Sequence, residues 1–596
     1  MRKMSRVFAA GLHGGLVVAL CGCASAHTAR TATGPTGVAA ASYDVIIENG
    51  RIVDGTGNAW FYGDVGIRGD RIARVTPAGV LSGARAVKRI DARNLVVSPG
   101  FIDIQGQSVS QLTFGDSRLV SKVTQGVTTE ILGEGNTPAP VNDNILKSTE
   151  ASFTGPRGDS IRKVVSTFTG EHGFGRWLDA MQAHGMSVNA GSFLGAETIR
   201  VYAKGFAEGD PNAAELDTMR MVTRNAMRDG AFGVASALIY PPGNFATTDE
   251  LIEIAKAMSP LGGVYITHMR SEGDRLLEAL DEAMRIGKEG RVPVEIYHLK
   301  AAGVRNWPKM DDAIAKIEYA RAYGQDVSAD MYPYVAGGTG LAACTPPWAT
   351  ANDKLLDNLR DPDTRKRIVA EMHEERTSWE NLCNLATPKG VMVVGFTSPE
   401  MQKYEGKRIE EIATDMKKDW AEAVADMVLA EKGGPGIIVF LMSEENVATQ
   451  LTLPWMKIGT DASGLDPDSA RGLAHPRAYG TFPRILGQFV RERRLMTLED
   501  AVRKMTSAVA DRLSLQGRGV LREGMYADIA IWDPVTIIDH ATFIRPHQIS
   551  EGVKHVFVNG VQVLDDGRHT GAKPGTVVRG PGWEAEGEGK GKGKKN

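Results

Sequence analysis

Between Val264 and Lys300 the sequence sets two short apolar runs on either side of one amphipathic stretch, and each run ends in a histidine. Val264-Tyr265-Ile266-Thr267-His268 reads as a strand. Leu276 to Ile286 carries Leu276, Leu277, Leu280, Ala283 and Met284 on one face of a 3.6-residue period, which predicts a helix. Val292 to His298 reads as a second strand, followed by Leu299 and Lys300. A strand–helix–strand unit has parallel strands, so both ends emerge on the same face of the sheet. Two imidazoles on neighbouring strand ends can reach one metal ion.

The alternation extends far beyond this unit. Candidate strands are Val96 to Ile104, Thr128 to Leu132, Val188 to Leu194, Phe232 to Ala237, Val264 to His268, Val292 to His298, Asp326 to Tyr332 and Trp455 to Asp461. Eight strands alternating with helices predict an α/β fold of the (β/α)8, TIM-like barrel type, here over 96–514. The stretch 335–454 is too long for one crossover and is expected to be an inserted subdomain lying over the barrel mouth as a lid. Short strands with Asn-Gly and Gly-Asp turn signals occupy 43–95. The same texture returns over 515–579. A small β-sandwich domain built from both chain ends accounts for both. A chain of 596 residues is long enough for such a multi-part architecture. The 68 glycines suit many tight strand-to-helix turns. A net charge of −3 gives no electrostatic footprint for nucleic acid.

The first 26 residues read as an export signal: Arg2, Lys3 and Arg6 precede an apolar stretch from Val7 to Leu20. Leu20-Cys21-Gly22-Cys23 resembles a bacterial lipobox, which would lipidate Cys23, whereas Ala24-Ser25-Ala26 suits ordinary signal peptidase. Either reading makes the mature protein periplasmic or a membrane-anchored lipoprotein, with membrane contact only through an anchor at Cys23. Residues 27–42 read as a linker and 580–596 as a disordered tail. Cys344 and Cys383 are the cysteines left in the folded body, and their pairing stays open.

The active site of such a barrel lies at the C-terminal ends of the strands. Those ends supply Gln105 and Gln107, Glu134, His268, His298, Asp330 and Asp461. A lone strand-end histidine is commonly a hydrogen-bonding core residue, and Glu134 or Asp461 alone could cap a helix or make a turn. Two histidines on adjacent strands with two strand-end carboxylates form a zinc-like donor set. Zinc lowers the pKa of bound water towards ~7 and so makes hydroxide available at neutral pH. Lys300, and Arg477 and Tyr479 just past the last strand, could contact a substrate or simply pack.

Tyr43-Asp44-Val45-Ile46-Ile47-Glu48-Asn49-Gly50, Ser98-Pro99-Gly100-Phe101-Ile102-Asp103 and Gly126-Val127-Thr128-Thr129 resemble the amidohydrolase superfamily. Thr267-His268-Met269-Arg270, His298-Leu299-Lys300, Asn306-Trp307, Tyr332-Pro333-Tyr334 and the run from His475 to Arg484 narrow the resemblance to the D-aminoacylases, the N-acyl-D-amino-acid deacylases. The resemblance implies a zinc-dependent enzyme releasing a free D-amino acid from an N-acylated one by attack of metal-bound hydroxide. It implies His268 and His298 as zinc ligands and Asp461 as the general base. Lys300, Tyr332, Tyr334, Arg477 and Tyr479 are the candidates for holding the small-molecule substrate.

Two positions depart from the family pattern. Gln105-Gly106-Gln107 stands where the family has His-x-His, which predicts an absent or weak second-metal position. Gly133-Glu134-Gly135-Asn136 stands where the family has an Asn-Cys-Gly turn, so Glu134 replaces a thiolate ligand. The expected ligand set is Glu134, His268 and His298 around one tightly bound zinc ion. A D-residue-specific dipeptidase, a cyclic-amide hydrolase and a non-catalytic small-molecule binding protein on the same fold are the alternatives.

Overall fold

The computed structural model describes residues 42–584 apart from 150–154 and 376–377; the export signal, Cys23 and most of the linker lie outside them. Eight parallel strands form the barrel: β1 Phe101–Asp103, β2 Val127–Leu132, β3 Asn189–Ser192 with its continuation Leu194–Gly195, β4 Gly233–Ala237, β5 Val264–His268, β6 Val294–Ile296, β7 Val327–Met331 and β8 Met456–Ile458. Each pairs with the next in parallel register. The ring closes where Gly106 bridges Ala462 and Asp461 N donates to Gln105 O at 2.8 Å. The strands are buried throughout, as parallel strands enclosed by helices must be.

The helix predicted between the two histidine strands runs Leu276–Gly290, four residues past the expected end, and stops where Arg291 turns left-handed at φ 56°. Its buried face is Leu276, Ala279, Leu280, Ala283, Met284, Ile286, Gly287 and Gly290. Leu277, assigned to that face from the sequence, is only half-buried.

The single strand expected over Val96 to Ile104 is two. Val96–Pro99 pairs with Ser42–Ile52 and Ile529–Trp532, while Phe101–Asp103 enters the barrel. Gly100 makes the transfer because a Cβ there would lie 2.1 Å from Thr128 Cγ2. The sheet containing Val96–Pro99 has nine strands drawn from both chain ends, with Val96–Pro99 and Ile529–Trp532 side by side at the join. Asn49-Gly50 is not the hairpin turn it resembles. It forms a bulge inside Ser42–Ile52, with Asn49 at φ 62° and its N–H donating to Asp64 Oδ1 at 3.0 Å. Gly69-Asp70 does turn between antiparallel strands, Phe61–Arg68 and Arg71–Pro77.

Between β7 and β8 the chain builds a three-stranded antiparallel sheet with Gly436–Phe440 at its centre, flanked by Ala336–Gly340 and Val391–Val394. A Cys344–Cys383 disulfide joins two segments of this insertion. The expected disordered tail is corrected at its start. Gly580 N donates to Gly230 O at 2.8 Å and Glu584 N to Arg228 O at 2.9 Å, so 580–584 pack along the barrel; 585–596 lie outside the described residues. No helix among the described residues is long and apolar enough to cross a membrane.

Candidate metal centre

His268 is the last residue of β5, and His298 lies two residues past β6. Glu134 follows β2 after Gly133, whose φ of 111° lets the chain turn into the mouth. The three side chains converge: His268 Nδ1 lies 3.3 Å and His298 Nε2 3.2 Å from the same oxygen, Glu134 Oε1. One donor atom from each falls within 4.8 Å of the others. Donors held ~2.1 Å from a common ion at tetrahedral angles stand roughly 3.4 Å apart, so the spacing fits one zinc ion.

His298 of this cluster and Asp461 after β8 sit in backbone conformations that cost energy. His298 has φ 32° and Asp461 φ 48°. A non-glycine residue in this region is held there by its surroundings. The His298 N–H donates to Asp330 Oδ1 at 2.9 Å, and Asp461 N–H donates to Gln105 O. Asp330 therefore shapes the site from beneath; burial holds its carboxyl well above the usual range, with the charge of Glu295 adding to the effect.

The glutamines expected at a weak second-metal position do something else. Gln105 Nε2 and Gln107 Nε2 donate to Glu134 Oε2 at 2.6 and 2.7 Å, and Gln107 Nε2 reaches Asp461 Oδ1 at 3.2 Å. Both amides point N–H at Oε2 of the Glu134 carboxylate and leave Oε1 for the histidines. That is the work of groups that orient a ligand.

Sequence reasoning missed Glu272. Its Oε1 lies 2.9 Å from His298 Nδ1 and accepts from Lys300 Nζ at 2.6 Å, and Lys300 Nζ itself lies 2.7 Å from the same Nδ1. A carboxylate on the far nitrogen fixes the ring and raises its basicity as a ligand. Burial pushes the Glu272 carboxyl up, but Lys300 and the two histidines outweigh it and hold it well below the usual range. The spacing His268-x-x-x-Glu272 was the only signal. Glu380 of the insertion in turn accepts from Glu272 N, Gly273 N and Ser271 Oγ, which fixes this loop.

A cavity of about 320 Å³ opens over the cluster, between the strand ends and the inserted sheet, whose Gly337, Gly338 and Thr339 form part of its wall. Lys300, Tyr332, Asp461 and Arg477 line it. Arg477 Nη1 lies 2.7 Å from Asp461 Oδ2, and its guanidinium stacks 4.6 Å over the Tyr332 ring. Burial pushes Asp461 up, Arg477 offsets part of this, and the carboxyl stays above its usual value. Two expected substrate residues are corrected. Tyr334 and Tyr479 are absent from the cavity wall. Tyr334 OH turns to Asp539 Oδ2 at 3.4 Å and Tyr479 OH to His547 Nδ1 at 2.9 Å, so both fasten the barrel to the C-terminal segment. Glu197, another residue that sequence reasoning missed, also lines the cavity; burial pushes its carboxyl up to about 8.

Residues 438–564 match the model of the amidohydrolase family. A D-aminoacylase of Alcaligenes xylosoxydans xylosoxydans is 34% identical over 536 residues, covering 90% of this chain and 97% of that one. The solved structure of a D-aminoacylase with a binuclear metal centre, described by one-metal activation and second-metal attenuation, superposes with a TM-score of 0.73 at 33% identity, over 90% of this chain and all of that one. An N-acyl-D-glutamate deacylase from Bordetella bronchiseptica, solved with zinc and a phosphonate mimic of the tetrahedral intermediate, gives a TM-score of 0.71 at 28% identity with the same coverage.

Proposed function

This chain belongs to the D-aminoacylase family of amidohydrolases, and from that premise we propose that it hydrolyses the amide of N-acyl-D-amino acids with a single zinc ion held by Glu134, His268 and His298. The observation that carries the single-ion reading is the convergence of both imidazoles on one oxygen of Glu134, with the other oxygen taken by two amide donors. Such an ion supplies Lewis acidity for the attacking water and the scissile carbonyl.

The chain's own residues do the rest. Asp461 takes the proton from the attacking water and hands it to the leaving amine nitrogen, and its raised pKa suits both tasks. Arg477 Nε has no hydrogen-bond partner, and with Tyr332 it offers a cationic, aromatic wall for the substrate carboxylate. Lys300 has its ammonium on both Glu272 and His298 Nδ1, so its part is to hold these two side chains together. The leader sequence together with the Cys344–Cys383 disulfide supports an exported protein, because disulfides persist in oxidising compartments.

The test is zinc per chain measured alongside hydrolysis of N-acetyl-D-amino acids and their L-enantiomers. About one zinc with D-selective turnover is expected. Two ions per chain would show that the glutamines bind metal. A chain that neither binds zinc nor turns over substrate would favour a binding protein on the same fold.

A further inference from the structure

We propose that Glu197 recognises the acyl end of the substrate, and that the preferred substrates carry a protonated amine there: aminoacyl-D-amino acids, short dipeptides with a free N-terminus, in place of simple acyl amides. The inference rests on the deacylase reading and names the substrate class of that same site.

Glu197 lies in the first turn of the helix Ala196–Lys204, directly after β3. Its Oε1 accepts from Ala237 N at the end of β4 at 2.9 Å. It therefore sits over β3 and β4. Tyr332 follows β7, and Arg477 pairs with Asp461 after β8. In a ring of eight strands, β3 and β4 lie across the mouth from β7 and β8. The cavity thus has a cationic wall on one side and a carboxyl on the other, with the ligand cluster between them.

The second oxygen, Glu197 Oε2, is buried and has no hydrogen-bond partner among the described residues. It faces Gly135, the residue after the ligand Glu134, where a Cβ would lie 2.8 Å away. Among the described residues Glu197 has no basic partner, unlike Glu250 on Arg200, Glu295 on Lys457 or Asp103 on Lys122. Asp330 also keeps a free oxygen, but it does not line the cavity. A buried carboxylate without a counter-ion is costly and holds a proton instead, so one retained in a cavity wall gives up that proton to solvent and ionises when a cation from the substrate reaches it. An α-ammonium group is one carbon from the scissile carbonyl, close enough to the cluster to meet an oxygen beside Gly135. Hydrolysis then puts the water oxygen on the acyl carbon, breaks the C–N bond and leaves the proton on the D-residue's nitrogen. The products are two free amino acids.

Glycyl-D-leucine and N-acetyl-D-leucine differ only by an ammonium group in place of a methyl hydrogen, and they make the test pair for the zinc-loaded full chain. The expected ratio of kcat/KM, glycyl over acetyl, is about tenfold or more in the wild type. In Glu197→Gln, which keeps the acceptor for Ala237 N, the ratio falls about 30-fold at unchanged zinc content. A wild-type ratio near one overturns the proposal without any variant, and so does a ratio that Glu197→Gln leaves unmoved. Failure of the wild type to hydrolyse either compound overturns the deacylase reading itself, a result distinct from turnover that ignores the amine.

Discussion

Where β8, β1 and β2 meet, the same three strands and the residues just past them build two layers of buried polar side chains, the second one to four residues further along the chain than the first. The lower layer is Asp103, Glu130 and Thr460, gathered on Lys122. Its ammonium contacts Asp103 Oδ2 and Thr460 Oγ1 at 2.6 Å and Glu130 Oε1 at 3.3 Å. The upper layer is Gln105, Gln107, Glu134 and Asp461, joined by the histidines of β5 and β6. The lower layer brings its own cation from the helix Val120–Val123. The upper layer pairs Asp461 with Arg477, but it arranges Glu134, His268 and His298 around a point that no described lysine or arginine fills, and it faces a cavity. The first is therefore read as a structural ion cluster and the second as a receptor for an ion from solution.

Substitutions can break that contrast. The largest effect is expected for Asp461→Asn, with kcat down about 10³-fold and zinc retained, read by steady-state kinetics with metal analysis. Near-normal turnover would remove Asp461 from the role of base. Lys122→Met leaves two buried carboxyls without their cation and should lower stability by about 3 kcal/mol, seen as a shifted denaturant midpoint. An unchanged midpoint would end the structural reading of the lower layer.

Gln107→Leu should weaken zinc binding about 10- to 100-fold in a chelator competition, as the loss of an orienting group does. If zinc affinity holds, the amide is not orienting Glu134. The smallest effect concerns pH. Glu197 has a folded pKa of about 8 against an ordinary value near 4.5, so the folded chain keeps a proton that the unfolded chain loses. Stability falls as pH rises through that window, and the cost is complete only above the folded value. The melting temperature of Glu197→Gln relative to wild type should accordingly climb by a few degrees between pH 4.5 and 8 and then level off. A constant offset would mean that Glu197 is not held neutral by burial.

The histidine pair was legible because period-2 and period-3.6 patterns around it fix which strand end each residue occupies. Glu134 was legible as a member of the cluster by its place after β2. The part played by Gln105 and Gln107 was not: their contacts to Glu134 join the ends of β1 and β2 across 29 and 27 positions, and the Gln107 contact to Asp461 depends on the closure of β8 onto β1. Glu272 sits in an irregular loop where no period applies. Glu197 reads in sequence as an ordinary acid in the first turn of a helix. Tyr334 and Tyr479 show the reverse error: proximity to a motif along the chain says nothing about which way a side chain points. The break at Gly100 is marked in the sequence only by Pro99-Gly100 within an otherwise strand-like run, and the approach of Thr128 shows that the chain changes sheets there.

The Cys344–Cys383 bond has a consequence for how the protein is made. Cys344 closes the segment that continues from Gly337, Gly338 and Thr339, and Cys383 adjoins Leu382; all four of those neighbours form the cavity wall. The width of the cavity is thus stapled covalently, while Glu134, His268, His298 and Asp461 hang from the barrel strand ends. Material produced in a thiol-rich cytosol should carry the same chemistry behind a slacker door. Its tolerance for oversized substrates, more than its turnover of small ones, would betray the compartment in which it folded.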